Sequence, residues 1–385
     1  ATQHWAGKAL SPSNERWLKR ALGAALKRDR STSNEIMRGG WVSALSQYNI
    51  ENNSIGASSS TAGIFSYAKS DRKGAEFAIL SYEMNEHTIA RSGLLSHSEI
   101  RENWRWLTSK LRRDGTTPII LILPRATNNK MITTVTRDLQ REIALELGVH
   151  VIDLSELFID AARIRASIEG LMQDNSHMTL PAAKIVGNII GRCLDDLRGT
   201  NRDVQIDVPL DTEFQVVWMH EYAKDNQKIK RKTSVTSAML VQLEEHQSLT
   251  IPCPDGAEIV AVVVNRLASG GILKVGKTAK KLAFCNSPED VGKFMLVVSD
   301  FAGGTVVTGN SLTMWVERDG CVTEPTHMAK EIADGYDPMI EIEAIILKIH
   351  LENNDVQPAL SHAASGIDLV KRVVTDTDVT ELSKL

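Results

Sequence analysis

Asp174-Asn175-Ser176-His177 is the stretch of this chain whose residue types and spacing most directly spell out chemistry. An aspartate three residues ahead of a histidine, on a loop running into a helix, places a carboxylate within reach of one ring nitrogen and leaves the other nitrogen facing a cleft. That pair is a general base with its orienting partner. A base of this kind needs a nucleophile to deprotonate, and a reaction that builds negative charge on oxygen needs hydrogen-bond donors around it. Candidates for both lie upstream. Ser31-Thr32-Ser33-Asn34 is a hydroxyl-rich turn that can present Ser33, with Ser31 the alternative register. Asn53-Ser54-Ile55-Gly56-Ala57-Ser58 ends at a glycine whose backbone amide can approach a ligand closely. Tyr82-Glu83-Met84-Asn85-Glu86 supplies a side-chain amide from Asn85. Ser58, Ser59 and Ser60 read as hydroxyls of the glycine turn. Among the remaining histidines only His87 falls near this set, and none shows metal-ligand spacing.

The elements that must hold these residues alternate in type. A helical stripe at Trp17, Leu18, Leu22, Ala25 and Leu26 comes first, then a weakly alternating strand over 48–55. Apolar strands follow at 77–82, 118–123 and 149–154. Between them the spacing predicts a helix opened by the Ser96/Glu99 capping box and ended by Asp114-Gly115, and another over 133–147 closed by Gly148. Pro181 then opens a helix whose apolar residues run from Ile185 to Leu197. Strands apolar throughout, each followed by a helix, predict an α/β domain over 1–200 with a parallel sheet covered on both faces. In such a sheet functional residues sit in loops at the carboxyl ends of the strands, and every candidate named above occupies such a place.

Beyond 200 the pattern changes to strand-like runs at 214–219, 239–243, 259–264, 294–298, 311–316 and 340–349, separated by turn signals such as Asp255-Gly256, Gly270-Gly271 and Gly303-Gly304. Residues 201–385 therefore read as a β-rich accessory domain, a mostly antiparallel β-sandwich or jelly-roll-like fold. Trp218 and Trp315, on these strands, read as core. The tail from 361 carries one possible helix at 367–374 and makes no clear core contribution.

Composition removes several classes of function. A chain of 385 residues with 42% hydrophobic and 24% charged residues and a net charge of -4 gives no dedicated surface for nucleic acid or acidic membrane. The basic run Lys27-Arg28-Asp29-Arg30 is a local solvated patch. Cysteines 193, 253, 285 and 321 lack paired spacing and read as reduced thiols rather than metal ligands. No stretch approaches the ~20 apolar residues of a membrane span, so the expected location is cytoplasmic unless a signal peptide has been removed.

In motif order, residues of about 31–197 resemble the SGNH (GDSL-like) hydrolase family, whose four blocks supply a serine, a glycine, an asparagine and an Asp-x-x-His. Here Ser33, Gly56, Asn85 and Asp174 with His177 stand at those places, and Ser31-Thr32 stand where that family has Gly-Asp. The resemblance implies a flavodoxin-like parallel sheet with helices on both faces and a Ser33-His177-Asp174 triad. It implies an oxyanion hole made from the backbone amides of Ser33 and Gly56 with the Asn85 side chain, and neither metal nor organic cofactor. The activity implied is a serine esterase that removes an acyl group, acetyl foremost, from a carbohydrate or related small ester. Two other readings stay open on the same residues. One is a glycan O-acyltransferase, in which a sugar hydroxyl resolves the acyl-enzyme; the other is an inactive glycan-binding or assembly protein. The acyl group, the sugar, the oligomeric state and the role of 201–385 are not written in the sequence.

Overall fold

The computed structural model describes Leu45 and residues 48–51, 59–70, 75–128, 130–164, 166–200, 210–232, 237–282, 294–325, 337–351 and 368–385. The helical stripe before residue 30, Ser31 to Ser33, and Gly56 lie outside this set. Residues 48–51 form no strand, and the rest of that predicted strand is also outside it. Tyr48 nevertheless packs at the edge of the first core, its hydroxyl donating to Asp195 at 2.7 Å.

The first unit runs α1 (Ser60–Lys69), β1 (Phe77–Leu80), α2 (Glu83–Arg91), α3 (His97–Arg113) and β2 (Thr117–Ile122). A short hairpin, β3 (Arg125–Thr127) and β4 (Lys130–Ile132), leads to α4 (Val135–Leu147) and β5 (His150–Asp153). Then come α5 (Ser155–Ile164), α6 (Ile168–Leu171) and α7 (Leu180–Thr200). The three main strands are parallel in the order β1-β2-β5. Strand β2 is apolar throughout because both its faces are covered. Ile119 and Leu121 point with Ile152 to one core under α5 and α7, while Ile120 and Ile122 point to another with Trp104 of α3 and Ile143 of α4. Local signals set the helix ends: the Ser96/Glu99 capping box forms, Thr134 caps α4, and Gly148 stops it in the left-handed region at φ 61°.

The second unit is built from β6 (Thr212–Trp218), β7 (Lys228–Lys232), β8 (Ser237–Glu244), β9 (Ser248–Pro252) and β10 (Glu258–Asn265). It continues with β11 (Ile272–Val275), β12 (Thr278–Lys281), β13 (Leu296–Val306), β14 (Ser311–Glu317) and β15 (Met339–His350). Antiparallel pairing gives a larger sheet, β13-β10-β15-β8-β7 with β6 also on β15, and a smaller one, β12-β11-β14-β9. Their inner faces close one apolar core, with Leu243, Val262 and Ile345 from the first meeting Leu249, Leu273 and Met314 from the second. Gly303 and Gly304 do not separate two strands as the turn signal suggested. Both lie inside β13 at φ 69°, where the register against β10 shifts.

The larger sheet is buried on its outer face as well. Ala238, Leu240, Val263 and Ile346 share a core with Ile64 and Phe65 of α1 and with Trp106 and Leu107 of α3. Aromatic contacts across this junction pair Phe65 with Trp218 and Trp106 with Phe214, ring centroids 5.5 and 5.6 Å apart. The chain then returns to its first unit. Leu369 donates its amide to Val151 of β5 at 2.9 Å, Asp368 bridges to the same strand, and α8 (Val370–Val373) and α9 (Asp376–Ser383) follow. Leu369 and Leu382 are fully buried among α5 and α7, and Arg192 pairs with Asp378 at 2.6 Å. The expectation of a tail without clear core contribution is overturned.

Candidate active site

A narrow loop between α6 and α7 carries Asp174 and His177. Its base is closed by a bridge between Met172 and Met178, by the Gln173 amide on the His177 carbonyl at 2.7 Å, and by the Thr179 hydroxyl on the Gly170 carbonyl at 2.6 Å. Leu171 and Met172, both buried, anchor it in the first core. Within the loop the aspartate folds back on the chain that follows: Oδ1 accepts from the Ser176 amide at 2.7 Å and the His177 amide at 2.9 Å. That Asx arrangement brings His177 Nδ1 to 2.8 Å from Oδ2. Partial burial pushes the Asp174 carboxyl up, but the Ser176 amide and the His177 ring and amide outweigh it and hold the group below the ordinary aspartate range. The His177 side chain is 56% exposed, which leaves Nε2 open to solvent while Nδ1 is engaged. The contact between the two side chains is the one their spacing predicts.

Asn85 is placed differently from expectation. Instead of lying in a loop that extends β1, it is the third residue of α2, whose first turn follows β1 after two residues. Its backbone amide donates to the Tyr82 carbonyl at 3.1 Å. The flanking Glu83 and Glu86 point inward and fix the helix. Glu86, fully buried, accepts from the Ser60 amide at 3.1 Å, from Gln140 at 2.8 Å and from the Trp104 indole at 3.3 Å. Glu83 accepts from the Thr134 and Thr136 hydroxyls and leaves Oε2 without a partner among the described residues. Burial raises both carboxyls, against those hydrogen bonds.

Sequence reasoning missed the hairpin that joins these blocks. Leaving the carboxyl end of β2, it donates the Ala126 amide to the Asn175 carbonyl at 3.0 Å and the Arg125 guanidinium to the Met84 carbonyl at 3.2 Å. One three-residue strand thus holds both the Asp174-His177 loop and the start of α2. His87, on the same helix, is partly desolvated and lies near Arg125 and Arg91, all of which favour its neutral form. The available signal was Asn128-Asn129 between two short runs, a hairpin turn signature, with Asn128 at φ 46°.

Ser59, three residues after Gly56, caps α1 rather than decorating a turn. Its hydroxyl accepts from the Thr61 amide at 3.3 Å and donates to Asp300 of β13 at 3.2 Å, while Ser60 is buried and accepts from Asn103. Burial pushes Asp300 up to about 6, opposed by Thr61, Lys280 and Ser59. Lys280 itself is buried and donates to the Asp300 carbonyl at 2.5 Å. The sandwich therefore reaches the residues that immediately follow the glycine block.

Among the described residues no group of three or more His, Cys, Asp or Glu is arranged to hold a metal, and no helix is long and apolar enough to cross a membrane. Buried Cys193 and Cys253 have their thiols pushed up to about 12 and about 11 by desolvation, which keeps both protonated.

No protein-family model matches the chain, and no curated protein matches it in sequence. Among solved structures it is similar to a two-domain esterase (CEX) active on acetylated mannans, co-crystallised with mannopentaose. The identity is 13% and the TM-score 0.50, over 77% of this chain and 80% of that one. A second structure of a two-domain esterase of that description gives 12% identity and a TM-score of 0.49, over 77% and 79%. At 13% identity the first of these likenesses shows the fold alone.

Proposed function

We propose that this chain is a serine esterase of SGNH type that removes acetyl or another short acyl group from a carbohydrate. The observation that carries the reading is the Asp174-His177 pair, hydrogen-bonded at 2.8 Å with Nε2 turned outward on a loop tied by β3 to the Asn85 block. The carbohydrate ester enters as substrate class through the shared fold with an esterase active on acetylated mannans.

In this reading Ser33 Oγ attacks the ester carbonyl carbon as its proton passes to His177 Nε2. Asp174 holds the ring tautomer and stabilises the imidazolium. The oxyanion is received by the amides of Ser33 and Gly56 and the side chain of Asn85, each such donor contributing ~3 kcal/mol to the transition state. The intermediate collapses, the sugar oxygen leaves with the proton from His177, and water repeats the sequence to release the acid. The open exposure of His177 favours water over a sugar hydroxyl as the acceptor.

A fluorophosphonate probe followed by peptide mapping tests the nucleophile. Labelling is expected on Ser33, and Ser33→Ala and His177→Ala are expected to abolish both labelling and p-nitrophenyl acetate hydrolysis. Unchanged hydrolysis in Ser33→Ala would remove Ser33 from the mechanism.

A further inference from the structure

β15 changes partners in mid-strand. Up to Ile342 its neighbour on one side is β8, from Ala344 onward it is β6, and on its other side the register against β10 slips between the same two residues. Glu343 is the residue left over at that bulge, and bulges of this kind re-aim a side chain. It lines a cavity of about 440 Å³ together with Trp218, His220, Glu221, Lys230 and Met239. One carboxylate oxygen takes Lys69 of α1 at 2.6 Å; the other is buried without a hydrogen-bond partner among the described residues, as is His220 Nδ1. A buried acceptor without a hydrogen bond is costly, so a cavity-lining residue that holds one gains from a ligand group that reaches it. Trp218 is only half-buried, its indole packed on Phe65 from one side and 6.5 Å from the His220 ring. The reading of Trp218 as plain core is therefore incomplete.

We propose that this cavity, lined by residues of the second unit and by none of the Asp174-His177 loop, is a glycan subsite that seats one neutral pyranose ring. An indole offers a flat apolar face to the C–H side of a sugar. Glu343 and Glu221 accept from hydroxyls, and Lys230 donates to ring or hydroxyl oxygens. Pockets of this type combine an apolar wall with a few placed polar groups.

The test is calorimetric titration of the full chain with mannopentaose, cellopentaose and xylopentaose. At least one is expected to bind, and His177→Ala is expected to bind it equally well. Trp218→Ala and Glu343→Gln are each expected to weaken binding by about tenfold, ~1.4 kcal/mol, while p-nitrophenyl acetate hydrolysis stays at the level of the parent protein. In Glu343→Gln the amide oxygen can stay on Lys69, so a donor takes the place of the unpaired acceptor of this cavity-lining residue. Because Trp218 also packs on Phe65, Glu343→Gln decides the matter if Trp218→Ala does not fold. Absence of binding by all three sugars at ~10 mM, or binding unaffected by Glu343→Gln, would overturn the proposal. It stands or falls independently of whether the chain hydrolyses esters.

Discussion

The Asp174 carboxylate receives two main-chain amides and one imidazole. Converting it to an amide replaces one of two acceptors with a donor that the ring cannot use while Nδ1 carries its proton. On the proposed mechanism, Asp174→Asn is expected to lower kcat by a factor on the order of 10³–10⁴ with little change in KM, read from steady-state kinetics on p-nitrophenyl acetate. A loss confined to KM would mean that the carboxylate only shapes the loop. This pair was legible because the hydrogen bonds of the Asp174 carboxylate fall within four consecutive residues, where an Asx turn leaves little freedom. Arg125 was not, since its partner, the Met84 carbonyl, lies 41 residues away and nothing in either local sequence announces the other. For Ser33 and Gly56, which lie outside the described residues, the sequence order remains the ground for their roles.

Elements are read best where their own ends carry the signal. The Ser96/Glu99 box and Gly148 were visible because a cap is chemistry between neighbours. Gly303-Gly304 misled because the same left-handed backbone serves a turn or a kink inside a strand, and only the pairing of β13 with β10 distinguishes them. The β3–β4 hairpin is short enough that its function rests on individual hydrogen bonds. Ala126→Pro removes the amide that holds the Asn175 carbonyl and is expected to cost about 1 kcal/mol of stability. It should also lower kcat, as the Asp174-His177 loop loses its tie to the sheet; chemical denaturation and turnover on the same preparation measure both. Full activity with a weakened fold would separate the hairpin from catalysis.

At the scale of the molecule, two folding units share a core at the outer face of the larger sheet, and buried charge crosses the same junction. Asp300, with its carboxyl raised from 3.8 to about 6, has Ser59 and Thr61 on one side and Lys280 and the buried Glu86 nearby. Its folded pKa lies above the unfolded one, so its contribution to stability is fully present below pH 3.8 and is lost as pH rises through about 6. The change amounts to about 3 kcal/mol. Asp300→Asn is expected to flatten this dependence: between pH 4 and pH 7 the variant should gain that much relative to the parent in urea unfolding, and a constant difference would refute the assignment. Alternation of strands and helices made the two classes of unit legible, yet neither the covering of the sandwich by α1 and α3 nor the return of the tail could be read. Both depend on surfaces made by residues hundreds of positions apart. That return has a consequence for synthesis. The first unit's core is incomplete until Leu369 and Leu382 are in place, so on the ribosome the sandwich, though later in sequence, has all its strands first. A nascent chain stalled just after β15 should hold a protease-resistant sandwich attached to an α/β unit still waiting for its last pieces.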